Sequence, residues 1–594
     1  MKSKTCCCNG AVLKRTLFRS MPLWGAYLLC WLIVLPVMIL SQNRWHELLN
    51  LREYILQVAA NSCHLVAFVY GLAAAWVSFS FLYHSRSANF FGALPLKRQT
   101  LFLTCYLSGL LLSVIPNVLV ALLSLLAGLT KGWFVGAELA VWLGAQTLSF
   151  VFYYSFAVVL AMVVGHAAAL PGLYLVMNFL AVGLEALIRS LLDSFVYGMW
   201  FSGDFWFDWA SPLYYALAED GPWVQTIWGE QNPMDYVFEG WGMLLILAAV
   251  GVALAGLAFW FFRRRRMESA GDVIAVRHLK PVFLYGFTFC CSLTLGQLLA
   301  DMLVNGIGTR NFVPVLLCML AGAFLGYFVG EMMLHKSVRV FRKRHWANWA
   351  VCCVVIVAAM LCVRLDLFGY SRYVPQAQEV TAVGLSYGEE FSEDPALIGK
   401  VLGLHQTILD RRTQTERAGE SADCGYTTVR LRYRLQNGKT VNRAYELPIG
   451  EGIDTAPDSL IRQFNALYND PDYTVLRTLP QGYTPQDIER CCLYQDGSDG
   501  VYLTRQEAYD FLKTVVEPDL RESNMGRSYR GTDQTQEPVW MNAYLEITFT
   551  QAFMEGRPGN RDVYLTVTED AVRTLDFFRS KGFTPEWIDD GKYG

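Results

Sequence analysis

Nine long apolar runs constrain the fold more than any other feature of this 594-residue sequence. Each run has few charges and reaches about the 20 residues that an α-helix needs to cross the hydrocarbon core of a bilayer. The first follows a short basic, amphipathic stretch at 11–20 and lacks a small-residue cleavage site, so we expect it to be retained as a span. The sequence therefore predicts a polytopic α-helical membrane protein, with spans at residues 21–41, 62–83, 101–128, 139–164, 167–188, 241–262, 281–304, 312–334 and 346–363.

Basic residues between the runs predict the orientation of the spans. The loop at 85–100 contains Arg86, Lys97 and Arg98 without an acidic residue, and the segment between the last two runs, HKSVRVFRKRH, is also strongly basic. The sixth run ends in four consecutive arginines, which are the strongest topological feature: Arg263, Arg264, Arg265 and Arg266. Because basic loops are retained in the cytoplasm, we expect the N-terminus inside and the C-terminus outside. An RRRR sequence directly after a span favours this interpretation over nucleic-acid binding.

Beyond residue 364 the long apolar runs stop and the charge changes sign. Residues 1–364 contain 25 basic and 16 acidic side chains, whereas residues 365–594 contain 24 and 36. The later part alternates strand patterns at 380–387, 426–433, 440–447, 544–550 and 563–567 with helical patterns at 396–412, 459–468, 506–516 and 571–581. We therefore expect a soluble α+β domain at 364–594, after a tail and interfacial helix at 1–20, six spans at 21–262, a basic linker at 263–280 and three further spans at 281–363.

The segment at 189–240 has eight acidic residues, one basic residue and many aromatic residues. Few basic residues place it outside, and aromatic side chains favour the headgroup interface. Two interpretations remain open: short helices at the outer leaflet, or an ordinary packed outer loop.

No familiar catalytic or cofactor motif occurs in the sequence. It lacks the phosphate-binding GxxxxGK[ST] pattern, HExxH, GxSxG and Cys/His pairs at zinc spacing. We therefore expect no cofactor, no metal site and no enzymatic activity in this chain. Most cysteines lie in apolar runs, and the triplet Cys6, Cys7 and Cys8 belongs either to a simple cytoplasmic tail or to a lipidation or metal-capture site.

A few ionisable residues interrupt the apolar runs, where a charge is costly: His64, Glu185, Asp301 and Glu331, with His166 in a tight turn. Most lie near run ends, where headgroups or water can reach them. Glu185 is the best candidate for a translocation path or for a pair with a neighbouring span. In the eighth run, Gly322, Gly326 and Gly330 form two overlapping GxxxG steps, which favour close helix packing within the chain over dimerisation.

Two short motifs resemble a known family. Leu94, Pro95, Leu96, Lys97 and Arg98 match an LP-x-[KR]-R stretch, and RRRRMESAGD is similar to the basic segment after the sixth span. With the interfacial helix, the six spans and the aromatic outer segment, residues 11–280 resemble the permease subunits of type-2 ABC exporters of Firmicutes. The three extra spans and the C-terminal domain depart from the basic six-span type, although some Firmicute relatives share them.

The resemblance implies a bacterial cell-membrane protein that dimerises with an identical or different permease subunit and is driven by separate ATPase subunits. It implies that the first cytoplasmic loop docks on the ATPase through Phe90, Phe91, Leu94, Pro95, Leu96, Lys97 and Arg98. Two other functions remain open: a membrane-anchored sensor whose outer domain binds a peptide, antibiotic or cell-wall ligand, and a lipid-modifying enzyme. No nucleic-acid partner is expected.

Overall fold

The structure is a computed structural model of the chain. It describes residues 8–41, 48–93, 95–201, 203–218, 221–228, 233–265, 271–304, 311–385, 390–418, 425–450, 453, 456, 458–496, 500–531, 538–554, 557 and 560–588. Leu94, Arg266 and the Cys6 and Cys7 positions lie outside these residues.

The first two thirds of the chain are mainly helical. Within the described residues, nine helices are long and apolar enough to cross a membrane, which confirms the nine apolar runs. The helices are α1 Gly10–Arg19, α2 Met21–Ser41, α3 Leu48–Ser78, α4 Ser85–Gly92, α5 Arg98–Thr130, α6 Gly136–Val163, α7 Ala169–Phe195, α8 Pro212–Leu217, α9 Trp241–Arg264, α10 Leu279–Leu303, α11 Phe312–His335 and α12 Lys343–Arg364. Of these, α1, α4 and α8 are too short to span a bilayer.

Helix α6 is the most buried of the nine long helices. Its aromatic residues Trp142, Tyr153 and Tyr154 are fully buried. Two neighbouring helices approach it through glycines: a Cβ atom on Gly71 of α3 would lie 2.9 Å from the Tyr154 nitrogen, and one on Gly251 of α9 would lie 2.8 Å from Phe152 Cα. Close backbone approach through small residues is how apolar helices gain packing energy where water supplies no driving force. Helix α6 is thus the packing centre for α3 and α9.

A β-hairpin lies between α8 and α9, where the sequence predicted either short helices or a packed loop. Its strands are β1 Trp223–Trp228 and β2 Pro233–Glu239, and Val224 pairs with Phe238 while Thr226 pairs with Tyr236. These four positions alternate with exposed ones, which is the period-two pattern of a strand. Short helical turns also occur in the segment, at Asp208–Ala210 and in α8.

The chain forms two compact units, which are divided differently from the predicted domains. The first contains residues 1–191 and 204–360, and the second contains residues 192–203 and 361–594. The second unit therefore includes a short segment that lies more than 150 residues before the rest of that unit. Sequence patterns beyond residue 364 gave no indication of this segment.

The second unit contains helices and two sheets, as the sequence predicted for its C-terminal part. One sheet has the order β3-β4-β5, and the other has the order β7-β6-β8-β9. The strands are β3 Val380–Gly384, β4 Gly425–Leu435, β5 Thr440–Ile449, β6 Ile488–Gln495, β7 Val501–Tyr502, β8 Trp540–Phe549 and β9 Asp562–Thr568. The helices are α13 Pro395–Asp410, α14 Arg412–Ala418, α15 Leu460–Tyr468, α16 Pro471–Thr478, α17 Arg505–Phe511, α18 Glu517–Glu522, α19 Gln551–Met554 and α20 Val572–Ser580, with a π-helical turn Leu512–Val516 between α17 and α18.

Each sheet packs its own apolar core. The first core includes Val401 of α13, Leu431 of β4 and Phe464 of α15, and the second includes Leu493 of β6, Ile547 of β8 and Phe578 of α20. The central strand β6 and helix α16 were not predicted from the sequence. The predicted hairpin around QNG is present as β4 and β5.

Candidate functional site

The loop at 85–100 contains a short helix followed by an exposed turn. In α4, the Phe91 ring packs on Phe81 with 4.6 Å between centroids, whereas the side chain of Phe90 is 55% exposed. Pro95 and Lys97 are exposed and Leu96 is half-buried before α5 begins at Arg98. The helix is thus attached on one side by Phe91 and presents Phe90 and basic residues on the other.

Arg98 ties the start of α5 to the end of α9. Its Nη1 donates hydrogen bonds of 3.2 Å to the main-chain oxygens of Arg263 and Arg265. Arg263 and Arg264 are exposed, whereas Arg265 is 5% exposed. Helix α5, which follows the predicted docking loop, therefore starts at a residue that is hydrogen-bonded to the end of α9.

The buried guanidinium of Arg265 binds main-chain oxygens at the end of α6 and just after α3. Its Nη1 donates to the main-chain oxygens of Ala161 at 2.7 Å, Val164 at 2.9 Å and Met162 at 3.0 Å. Its Nη2 donates to the oxygen of Leu82, just beyond α3, at 3.2 Å. The last carbonyl groups of a helix have no partner within the helix, so a cation with several donors stabilises them. We call these groups, with Arg98, the arginine junction.

The linker after α9 pairs with the turn that follows α6. The Gly271 nitrogen donates to the Gly165 oxygen at 2.7 Å, and the Ala275 nitrogen donates to the Val163 oxygen at 2.8 Å. Between them, Val164 and Ile274 form an isolated antiparallel bridge. The linker therefore connects the arginine junction with the start of α10.

Asp272 in this linker binds two lysines. Its carboxylate lies 2.7 Å from Lys336 Nζ and 3.2 Å from Lys280 Nζ. Partial burial raises the pKa of Asp272, but the hydrogen bonds from Lys336 and Lys280 outweigh it and hold the pKa below its ordinary value. Asp272 thus links Lys336, the residue after α11, to Lys280 at the start of α10.

Glu185, the predicted translocation-path residue, is buried and binds backbone. Its carboxylate oxygens accept hydrogen bonds from the nitrogens of Trp206 at 2.8 Å and Phe207 at 2.9 Å, and Arg189 forms an ion pair with it at 2.5 Å. The Arg189 guanidinium also lies 4.9 Å from the centre of the Phe205 ring. Glu185 thus holds the aromatic segment against the end of α7 within the first unit.

The other ionisable residues of the apolar runs have different surroundings. His64 is buried beside Tyr153, whereas His166 and Asp301 are exposed. Glu331 is buried, and it accepts a hydrogen bond from the Tyr327 hydroxyl at 3.1 Å and binds His345 at 2.8 Å. The structure does not bring Glu185 and Glu331 into one site.

The three glycines of α11 face α10. A Cβ atom on Gly322 would lie 2.7 Å from the Cys291 oxygen, and one on Gly326 would lie 2.5 Å from Cys291 Cβ. At Gly330 the nearest atom is the flexible end of Leu284, at 2.9 Å. The glycine stripe is therefore in contact with a helix of the same chain.

A polar cavity of about 540 Å³ lies within the second unit. Its walls include the end of α16, the Gly526 and Arg527 turn, and strand β9. Arg477, Arg527 and Asp562 contribute charged groups. Its size falls in the range of small-ligand sites, although such sites have mainly apolar walls. The sequence did not predict this cavity, because its walls come from segments far apart in the chain.

Buried polar groups also stabilise the second unit. His405 of α13 lies between two tyrosines: Nε2 is 2.7 Å from the Tyr445 hydroxyl and Nδ1 is 3.0 Å from the Tyr433 hydroxyl. Burial, reinforced by the charge of Arg443, lowers the pKa of His405 to about 3. The imidazole is therefore neutral at physiological pH and can donate to one tyrosine and accept from the other.

Comparisons with protein-family models, curated proteins and solved structures give no match to this chain. The candidate site is therefore identified from the residues of this chain alone. It consists of the exposed helix α4 and the turn after it, supported by the arginine junction.

Proposed function

We propose that the chain is the membrane-spanning permease subunit of an ATP-driven ABC transporter, an exporter of the bacterial cell membrane. The single observation that carries the proposal is the helix α4 with the following turn, an exposed aromatic and basic element mounted on the arginine junction. The nine long apolar helices supply the membrane part, and the basic residues around α4 favour its location in the cytoplasm.

A coupling element must meet two physical requirements. It must present a surface that another protein can bind, and Phe90, Pro95 and Lys97 are exposed. It must also transmit force to the spans, which requires a stiff attachment. Phe91 packs on Phe81, and Arg98 joins α5 to the end of α9. Movement of α4 would therefore be transmitted to α5 and α9 together.

The proposed partner is a separate ATPase subunit, with a second permease subunit completing a dimer. The chain has no phosphate-binding sequence motif of its own, so ATP hydrolysis is assigned to the partner. The C-terminal unit lies outside the cell in this arrangement, since an odd number of spans puts the two ends of the membrane part on opposite sides. No nucleic acid takes part.

The test is a mild-detergent pull-down of the tagged chain from its native host, with the bound ATPase identified by mass spectrometry. The variant combines Phe90→Ala with Lys97→Glu, both at exposed positions. The matched control combines Phe134→Ala with Lys131→Glu, which changes the same residue types in the connection between α5 and α6, at the opposite end of α5 from the docking loop. Arg98 is left unchanged because it also holds the arginine junction together.

We expect the wild type and the control to retain an ATPase and the Phe90/Lys97 variant to lose most of it. An exposed aromatic anchor of an interface commonly contributes 2 kcal/mol or more, so roughly a thirtyfold weaker complex is expected. Equal retention by all three proteins would refute the docking role of α4. Absence of any ATPase from the folded wild type would refute the permease function.

The polar cavity of the second unit favours one other function, that of a ligand sensor with an outer binding domain. A sensor does not require a bound ATPase, so the same pull-down separates the two functions. If the wild type retains none, the cavity becomes the primary candidate site.

A further inference from the structure

Two histidines and one glutamate meet where α11 ends and α12 begins. Glu331 and His335 are four residues apart in α11, so their side chains lie on the same helical face. Lys336 then adopts a left-handed conformation, with φ of 51°, which ends the helix. The connection returns the chain so that His345, in the first turn of α12, lies opposite Glu331.

The donor atoms of the three side chains lie close to one another. Oε1 of Glu331 lies 2.8 Å from Nδ1 of His345, and Oε2 lies 3.2 Å from Nε2 of His335. The three donor atoms all lie within 4.8 Å of one another. Four ligands about 2.0–2.1 Å from a tetrahedral zinc ion are separated by roughly 3.4 Å. Small side-chain rotations would therefore suffice to enclose an ion.

The surroundings of Glu331 match those of a metal-binding carboxylate. Its side chain is 6% exposed, and the Tyr327 hydroxyl donates a hydrogen bond to Oε1 at 3.1 Å. Such a second contact fixes the orientation of a carboxylate ligand. The His335 side chain is 60% exposed, so water can reach the centre from that side and complete the coordination.

We propose that Glu331, His335 and His345 bind one divalent first-row transition-metal ion, of which Zn²⁺ is the principal candidate. Two imidazoles and one carboxylate suit zinc and its neighbours, whereas Mg²⁺ and Ca²⁺ prefer oxygen ligands throughout. The bound ion joins the end of α11 to the start of α12. The site is separate from the arginine junction and independent of the transport function proposed above.

One basic side chain next to the cluster is paired with a carboxylate. Lys336 follows His335 directly, but its ammonium group lies 2.7 Å from Asp272. Its charge is thus paired with a carboxylate of the linker, which reduces its repulsion of a cation at the neighbouring histidine.

The experiment measures zinc bound to the full-length chain in detergent by equilibrium dialysis and elemental mass spectrometry. The purification tag contains no histidine, and Cys6, Cys7 and Cys8 are replaced by serine so that N-terminal thiols do not contribute. The variants are His335→Ala and His345→Ala. The matched control is His278→Ala, since His278 is also exposed and lies at the start of α10.

We expect one equivalent of zinc per chain in the wild type and the control, and loss of at least four fifths of it in each variant. With CoCl₂ as the probe, the wild type should give the visible absorption of a low-symmetry cobalt site, and His335→Ala should not. Zinc should also raise the melting temperature of the wild type but not that of His335→Ala, because an ion that binds only the folded state stabilises it.

Failure of the wild type to retain zinc at tens of micromolar free metal would overturn the proposal. Equal stoichiometry in the wild type and His335→Ala would overturn it as well. If His345→Ala does not fold, His335→Ala decides the outcome, because the exposed His335 ring contributes little to packing.

Discussion

The guanidinium of Arg265 lies 2.7 Å from the main-chain oxygen of Ala161, more than 100 residues earlier in the chain. This contact joins the end of α9 to the last turn of α6, the most buried of the long helices. An arginine that the sequence indicated only as a marker of topology thus also closes one end of the helical unit.

Replacement of Arg265 should destabilise the first unit more than replacement of its neighbour. Arg265→Met leaves several buried carbonyl oxygens without a donor, at a cost of about 2–4 kcal/mol. Arg264→Met removes only an exposed side chain that stacks on Trp260 at 4.2 Å, and it should cost under about 1 kcal/mol. Thermal unfolding in detergent measures the difference. Equal melting temperatures for the two variants would contradict the junction.

The glycine stripe of α11 should tolerate no side chain at Gly322, where a Cβ atom would meet backbone atoms of α10. In Gly322→Ala, the new Cβ atom meets the backbone of α10 at Cys291 and Gly296, so the helices must separate at a cost of roughly 1–3 kcal/mol. Gly286→Ala in α10 is the control, because a Cβ atom there meets no atom within 4 Å. We expect a lower melting temperature for Gly322→Ala only. A drop of the same size in the control would show that helix contact is not the cause.

Glu185 should control the order of the aromatic segment that follows α7. In Glu185→Gln, only one side-chain oxygen remains to accept from Trp206 and Phe207, and the charge that pairs with Arg189 is lost. Hydrogen exchange at these two amides should accelerate about tenfold or more, since 1.4 kcal/mol corresponds to a factor of ten. Asp204→Asn, at an exposed position of the same segment, should leave the exchange unchanged.

Acid should weaken the packing of α13 on strands β4 and β5, where His405 lies between Tyr433 and Tyr445. Its pKa is about 3 in the folded chain and near 6.5 when unfolded, so between these values the unfolded state binds one more proton. Stability therefore falls as the pH decreases below about 6, by up to about 1.4 kcal/mol for each pH unit. His405→Gln keeps a donor and an acceptor but does not titrate. The protection of the β4 and β5 amides against hydrogen exchange is measured, corrected for the intrinsic pH dependence of exchange. With acid, this protection should fall more steeply in the wild type than in His405→Gln. Parallel slopes would contradict the assignment.

The nine long apolar helices were predictable because length and composition alone decide whether a helix can cross a bilayer. The hairpin of β1 and β2 was not, because aromatic residues suit both a membrane interface and a strand face. Only the alternation of Val224 and Thr226 with exposed neighbours indicates the strand, and it is short. Many strands after residue 364 were predicted because their alternation is longer and the QNG turn is characteristic.

The residues that meet in the Glu331 cluster and in the arginine junction were much less predictable. Glu331 attracted attention as a charge in an apolar run, but its meeting with His345 depends on how the chain turns after Lys336. The spacing of Glu331 and His335 alone was available in the sequence, and a pair at that spacing is common on helices. The buried position of Arg265 was equally hidden, because four identical residues in a row carry no information about which one turns inward.

Residues 192–203 belong to the second compact unit although the rest of that unit begins at residue 361. Tyr197 packs against Tyr445, with 5.1 Å between ring centroids, and the Gly198 oxygen accepts a hydrogen bond from the Ala444 nitrogen. At a synthesis rate of 5–20 residues per second, Tyr445 leaves the ribosome roughly 12–50 s after Tyr197. During biogenesis the early segment must therefore wait while four long apolar helices are made, and the second unit can complete its fold only near the end of translation.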